Sequence, residues 1–255
     1  MKRIILSGCN GKMGRNIVAQ VREREDCVIV AGIDRNAASL DDFPVFTCPA
    51  DCAVEADVLI DFSHPSALEG LLAYAAERHL PAVIATTGMS PEQVAAIHQA
   101  SRQVPIFFTA NMSLGVNLLV ELAKKAAAVL GGQFDIEIIE KHHNQKLDAP
   151  SGTAMMLADA ISAALPEPAH YVYDRHAVRR KREKSEIGIH AVRGGTIVGE
   201  HEILFAGQDE LVTLSHTALS KGVFAAGALN AAIFLCGQEN GLYNMGDLLG
   251  GRNER

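Results

Sequence analysis

Tryptophan is absent from this sequence and aromatic residues make up only 5% of it, so any core must be aliphatic, which suits an α/β architecture. No charge-free apolar run approaches the roughly 18 to 20 residues needed to cross a bilayer. The opening MKRIILSGCNGKMG turns glycine-rich too early for a signal peptide, and the chain is expected to be soluble and cytoplasmic. Cysteine is scarce: Cys9, Cys27, Cys48, Cys52 and Cys236 are odd in number and scattered, the pattern of reduced thiols. Cys48 and Cys52 are close, but no second Cys or His pair completes a zinc set, and no metal is expected. Positive charge is also short. A formal net charge of -7 argues against general nucleic-acid or anionic-membrane binding, so an anionic substrate has to be met by local cations.

What is present begins with a strand, glycine turn, helix and strand. Lys2 to Leu6 is an apolar run leading into GCNGKMG, after which Met13, Ile17, Val18 and Val21 share one helical face, and Val28 to Ala31 forms a second apolar run ending near Asp34. The glycines permit a tight turn, and a pyrophosphate fits the helix N-terminus. The spacing is GxxGxxG rather than the commoner GxGxxG. Asp34 nevertheless falls 20 residues beyond Gly14, where an acid binds the adenine ribose. Arg35 follows it and suits a 2′-phosphate, so the pair predicts use of both NADH and NADPH. Apolar runs at Asp57 to Phe62, Pro81 to Ala85 and Pro105 to Phe108 continue the alternation. In an open parallel sheet the ligand lies beyond the strands' carboxyl ends, which selects the loops Gly8 to Gly14, Asp34-Arg35, Ser63-His64, Ala85 to Gly88 and Thr109 to Met112. For His64 only proximity is expected.

From Ser113 the grammar changes. A helix to Leu130 leads through Gly131-Gly132 to a strand over Phe134 to Ile139, and then to EKHHNQKLDAPSGT, read as a strand-to-helix connection from Glu140 to Thr153. This stretch sets His142, His143 and Lys146 beside a helix start at Ser151, Gly152 and Thr153. Unpaired helix N–H groups, an ammonium and imidazoles bind or protonate an anion. Alone, the string reads more readily as a solvated loop with an ordinary helix cap. The basic run Arg175 to Lys184 reads as a mobile solvated loop, with a cationic lid as the alternative. Ile187 to Val192, Thr196 to Phe205 and Glu210 to His216 read as antiparallel strands, and Lys221 to Leu235 as an apolar helix. The expected division is 1–112 for the dinucleotide, 113–219 for substrate and self-association, and 220–255 returning to the first domain.

Together GCNGKMGR, DFSHP, ATTG, TANMSLGVN, DIEIIEKHHNQKLDAPSGTA, VRGGTIVGEHEILF and GLYNMGDLL resemble the 4-hydroxy-tetrahydrodipicolinate (dihydrodipicolinate) reductase family of bacterial lysine and diaminopimelate synthesis, over nearly the whole chain and in order. The resemblance implies a Rossmann-type parallel sheet with helices on both faces and a central α+β domain whose mixed or antiparallel sheet builds a homotetramer. It implies NAD(P)H-dependent reduction of a cyclic, conjugated imine dicarboxylate, with loss of water. By motif position it implies His142 as general acid/base, Lys146 as proton donor, and His143 with the Gly152 and Thr153 amides as carboxylate ligands. The implied cofactor residues are Gly8, Cys9, Asn10, Gly11, Lys12, Met13, Asp34, Arg35, Ala85, Thr86, Thr87, Thr109, Ala110, Asn111 and Met112. The family more often has Gly at the position of Ala85. Competing readings are another two-domain dehydrogenase, acting on a saturated amino acid or alcohol, and a cofactor-sensing module without catalysis.

Overall fold

The computed structural model describes the chain except Leu40 and residues 251–255, so the last part of the C-terminal segment lies outside the described residues. In order the elements are β1 (Lys2–Ser7), α1 (Lys12–Val21), β2 (Cys27–Ile33), β3 (Val45–Phe46), β4 (Val58–Asp61), α2 (Leu68–Glu77), β5 (Ala82–Ile84), α3 (Pro91–Ala100) and β6 (Pro105–Phe108). There follow α4 (Leu114–Leu130), β7 (Asp135–His142), α5 (Gly152–Ala164), β8 (His170–Val172), β9 (Glu186–Arg193), β10 (Gly199–Ala206), β11 (Leu211–Ala218), α6 (Gly222–Leu235), β12 (Gly241–Tyr243) and α7 (Met245–Leu248). Two compact units result: Met1–Ser113 with the segment from Lys221 onward, and Leu114–Ser220.

The first unit is a seven-stranded parallel sheet ordered β12-β6-β5-β4-β1-β2-β3. Helices cover both faces of such a sheet, which explains why its strands are continuous apolar runs: Ile4, Ile5, Leu6, Leu59, Ile60, Val83 and Ile84 are fully buried. Helix α6 is apolar nearly all round, burying Ala225, Ala228, Leu229, Ala232 and Leu235 against β4, β5, β6 and α1. Helix α3 begins where its sequence dictates, at a capping box between Ser90 and Gln93 with Pro91 in the first turn.

The second unit is a mixed sheet ordered β11-β10-β7-β9-β8. Helices α4 and α5 pack on the face that presents Ile136, Ile138, Ile187, Ile189, Ile203 and Phe205. The three late strands are not a simple antiparallel set: β10 pairs antiparallel with β7 and β11, whereas β9 pairs parallel with β7 and β8. Strand β7 therefore lies between β9 and β10, and the connection through α5 is the crossover a parallel pair requires. Strand β7 also runs three residues beyond Ile139, so Glu140, Lys141 and His142 are strand rather than loop.

Candidate functional site

In the first unit the glycine turn joins β1 to α1. Gly8 has φ +77, and a Cβ there would lie 2.5 Å from the Phe62 carbonyl oxygen, so only glycine fits. Helix α1 opens at Lys12 with Gly11 as its cap, no side-chain cap bond and no acid in its first turn, which leaves the positive helix end for an anion. Gly11 and Lys12 are exposed and Met13 half-buried. Cys9 is buried, its thiol raised to about 11 by burial and then by Asp34, and its sulfur faces Gly32; its backbone is the part left for a ligand.

Asp34 closes the other side. Its carboxylate accepts the Asn10 N–H at 3.0 Å and the Asn36 N–H at 3.1 Å, each on one oxygen, so further lone pairs remain for hydroxyl donors. A cleft of about 660 Å³ runs along this edge, lined by Gly8, Gly11, Asp34, Arg35, Thr47 and Ser63. Arg35 is exposed. At the carboxyl end of β4, fully buried Asp61 accepts Ser63 Oγ at 2.5 Å and Thr86 Oγ1 at 2.7 Å, which fastens the Ala85 to Thr87 loop to the sheet. Ala85 and Thr86 are buried and Thr87 is exposed. After β6, Thr109 and Asn111 are half-buried, Ala110 exposed and Met112 buried, with Asn111 Oδ1 accepting the Ser113 N–H. A turn built from glycine, an open helix end and a carboxylate at the second strand fit a dinucleotide.

In the second unit the alternation of β7 carries the chemistry. Ile136 and Ile138 face the core, and Glu140 and His142 continue the same buried face toward the start of α5. Glu140 is fully buried and every acceptor position is used: Oε1 takes the Ser151 N–H at 3.0 Å and Arg193 Nη2 at 2.7 Å, and Oε2 takes Arg193 Nη1 at 2.8 Å and His142 Nδ1 at 2.6 Å. Burial would raise this carboxyl, but hydrogen bonds from Arg193, His142 and Ser151 outweigh it and hold it below the usual range. Loss of Arg193 alone would leave a buried charge short of its partner, at a cost of about 3–5 kcal/mol.

Ser151 caps α5, its Oγ accepting the Ala154 N–H at 3.2 Å and lying 3.0 Å from His201 Nε2. The His142 and His201 rings meet edge to face with centroids 5.2 Å apart. In the loop between, Lys146 Nζ sits 2.7 Å from the Asp148 carboxylate. That carboxyl is held low by the hydrogen bond from Lys146 first, with the neighbouring Gly152 N–H the smallest of the contributing groups. A carboxylate of the chain itself thus rests on the ammonium and the helix-start amide singled out for a substrate carboxylate. His143 and Thr153 are half-buried and Gly152 is exposed.

The basic run is exposed over nearly its whole length, but four of its cations, Arg175, Arg180, Arg182 and Lys184, are tied down by ion pairs. Arg175 pairs with Glu137 at 2.6 Å and Glu186 at 2.7 Å, Arg180 with Glu186 at 2.6 Å, and Arg182 with Glu137 and Asp135 at 3.0 Å. Acids that alternate along β7 and open β9 anchor those four side chains, and Gly188 leaves room for the Glu137 carboxylate.

Sequence reasoning missed Asp61, Glu140, Arg193 and His201 as parts of these sites. Glu140 and His142 at i and i+2 in a strand share a face, the signal that was available. Arg193 and His201 lie 53 and 61 residues beyond Glu140, and only the sheet brings them to it.

Comparison with known proteins divides the chain near the same point, residue 113, although the C-terminal match runs on through the segment that returns to the first unit. Residues 2–112 match the family model for the dihydrodipicolinate reductase N-terminus and residues 115–249 that for its C-terminus. A 4-hydroxy-tetrahydrodipicolinate reductase of Caldanaerobacter subterraneus subsp. tengcongensis is 55% identical over 249 residues, 98% of each chain. One of Clostridium novyi is 50% identical over 99% of this chain and all of that one. Among solved structures, a dipicolinate-bound dihydrodipicolinate reductase from Paenisporosarcina sp. TG-14 superposes with a TM-score of 0.80 at 28% identity, covering 96% of this chain and 97% of that one.

Proposed function

The chain belongs to the dihydrodipicolinate reductase family, and from that premise we propose that it reduces 4-hydroxy-tetrahydrodipicolinate to tetrahydrodipicolinate, with loss of water, in the diaminopimelate route to lysine. The first unit takes the pyridine nucleotide and the second takes the cyclic dicarboxylate. The observation that carries the reading is the seating of Asp148 on Lys146 and the Gly152 amide, one loop from the buried Glu140 and His142 pair: this spot accommodates a carboxylate.

The reduced nicotinamide supplies hydride to the conjugated imine. The chain's own residues make that carbon electrophilic and complete the product. Lys146, His143 and the Gly152 and Thr153 amides neutralise the substrate carboxylates, which draws electron density from the ring. The enamine left after hydride addition needs a proton, and Lys146 and His142 deliver it. The Lys12 and Met13 N–H groups at the α1 end hold the pyrophosphate, while Gly8, Asn10 and Gly11, whose own N–H groups bond Ile33, Asp34 and Gly8, shape the turn it approaches. Asp34 holds the ribose, Arg35 a 2′-phosphate when present, and the Ala85 to Thr87 and Thr109 to Met112 loops the nicotinamide half, so both NADH and NADPH serve. The enzyme acts in the cytoplasm as a homotetramer. No helix among the described residues is long and apolar enough to cross a membrane.

The test supplies the condensation product of pyruvate and aspartate semialdehyde and follows NADH or NADPH absorbance. Absorbance falls if the assignment is right, and no loss with verified substrate rejects it. Lys146→Ala is expected to lower turnover about 10²–10⁴-fold with dinucleotide affinity unchanged. A large loss of dinucleotide binding would place Lys146 in the wrong unit.

A further inference from the structure

We propose that Glu140 is a positioning residue: it fixes His142 in the Nδ1–H tautomer, so that Nε2 alone carries the proton exchanged with substrate. The proposal rests on the reading of His142 as an acid of the reductase reaction. It stands on a count of donors. Three of the four groups around the Glu140 carboxylate, the Ser151 N–H and the two Arg193 guanidinium nitrogens, can only donate. With those in place the carboxylate is ionised and has no proton to give. The 2.6 Å contact to His142 Nδ1 must then be an imidazole N–H donating to Oε2.

The other nitrogen is kept open by a second feature. A Cβ built on Gly199, in the neighbouring strand β10, would lie 3.0 Å from His142 Nε2 and 3.4 Å from Cδ2. The backbone of Gly199 is not left-handed, so glycine at this position serves space rather than conformation. One end of the imidazole is therefore clamped and the other, in a largely buried ring, faces the bare backbone of Gly199 with no side chain from that position against it, which leaves Nε2 as the nitrogen for proton transfer.

The charged and titratable groups around the ring come from every neighbouring element. Glu140 faces it from β7 and Arg193, at the end of β9, reaches it through Glu140. His201 of β10 stacks on its edge, and His216 of β11 is the cross-strand partner of His201. Lys146 and Asp148 lie in the following loop. Among them Glu140 is the carboxylate bonded to the ring, so its replacement is the selective one.

The experiment is nitrogen-15 NMR of the imidazole, assigned with a His142→Gln control, on the unsubstituted protein and on Glu140→Gln, combined with kinetics. In the unsubstituted protein at a pH where the ring is neutral, Nδ1 is expected to be protonated and Nε2 bare; the reverse tautomer overturns the proposal even if the variant does not fold. In Glu140→Gln the side-chain amide donates to Nδ1, the proton moves to Nε2, and kcat falls about 10²–10⁴-fold, with dinucleotide affinity unchanged. A fall in kcat with the tautomer unmoved would overturn the positioning role. A moved tautomer with full turnover would remove His142 from the proposed chemistry while leaving its clamping by Glu140 intact, so the two readings fail separately.

Discussion

His201 in the second unit is buried against the His142 ring. Burial, reinforced by the neighbouring His142 ring, lowers its imidazole from 6.5 to about 4. Between those values the unfolded chain holds a proton that the folded chain refuses, so stability rises with pH across that window. The contribution of neutral His201 is complete above pH 6.5 and is lost as pH falls toward 4. One proton per molecule corresponds to about 1.4 kcal/mol per pH unit, so roughly 2 kcal/mol disappears between pH 6.5 and 5. Urea unfolding at a series of pH values should show this slope, and His201→Gln should flatten it. An unchanged slope in the variant would mean the acid sensitivity arises elsewhere, His216 being the nearest alternative because burial lowers it as well. None of this was legible in the residues themselves. A histidine in GEHEIL reads as one more alternating position, and its environment exists only once β7, β10 and the start of α5 converge.

Strand β7 is where the sequence and the fold part company most instructively. Polarity marks its end at Ile139, because Glu140, Lys141, His142 and His143 follow. The backbone continues in register with β9 to His142, opposite Arg193, and with β10 to Lys141, opposite Glu200. A polar residue continues a buried strand face only when partners arrive from other strands, and a single-sequence reading holds no record of those partners. The motif itself was readable as an anion site, since it joins cations to a helix start; its rigid half was not. This rigidity makes the neighbouring strand sensitive. In Gly199→Ala the new methyl meets His142 Nε2 at 3.0 Å, and the ring cannot retreat because Glu140 holds its other nitrogen at 2.6 Å. A displacement of this kind at a reacting group is expected to cost about 10²-fold in kcat. Circular dichroism and dinucleotide binding should stay near those of the parent. A fully active Gly199→Ala enzyme would show that Nε2 is not approached from that side.

At the scale of the molecule, the parallel sheet was the most legible part, because buried parallel strands announce themselves as short apolar runs between glycine turns and helix caps. The short strands β3, β8 and β12 were not, each having at most three residues and borrowing its identity from the neighbour it pairs with. The mixed sheet poses a different question. Its inner face is filled by α4 and α5, while alternation places Ile139, Leu204, Val192 and Leu211 on the opposite face, with Val192 and Leu211 exposed. On the same face Lys141 pairs with Glu200 at 3.0 Å, and the Glu137 cluster fixes the basic run, so its polar groups are largely compensated within the chain. A sheet face that is half apolar, with its charges already matched, loses little by being covered and gains from burying its aliphatic side chains. Closed assembly of identical chains, the homotetramer proposed above, is the arrangement that covers it without leaving open ends. Sedimentation of the unsubstituted protein at micromolar concentration should give the mass of four chains, and Val192→Glu combined with Leu204→Lys should shift it to smaller species while dinucleotide binding persists. A parent protein that sediments as one chain, or a double variant that remains four, would move the association away from this face.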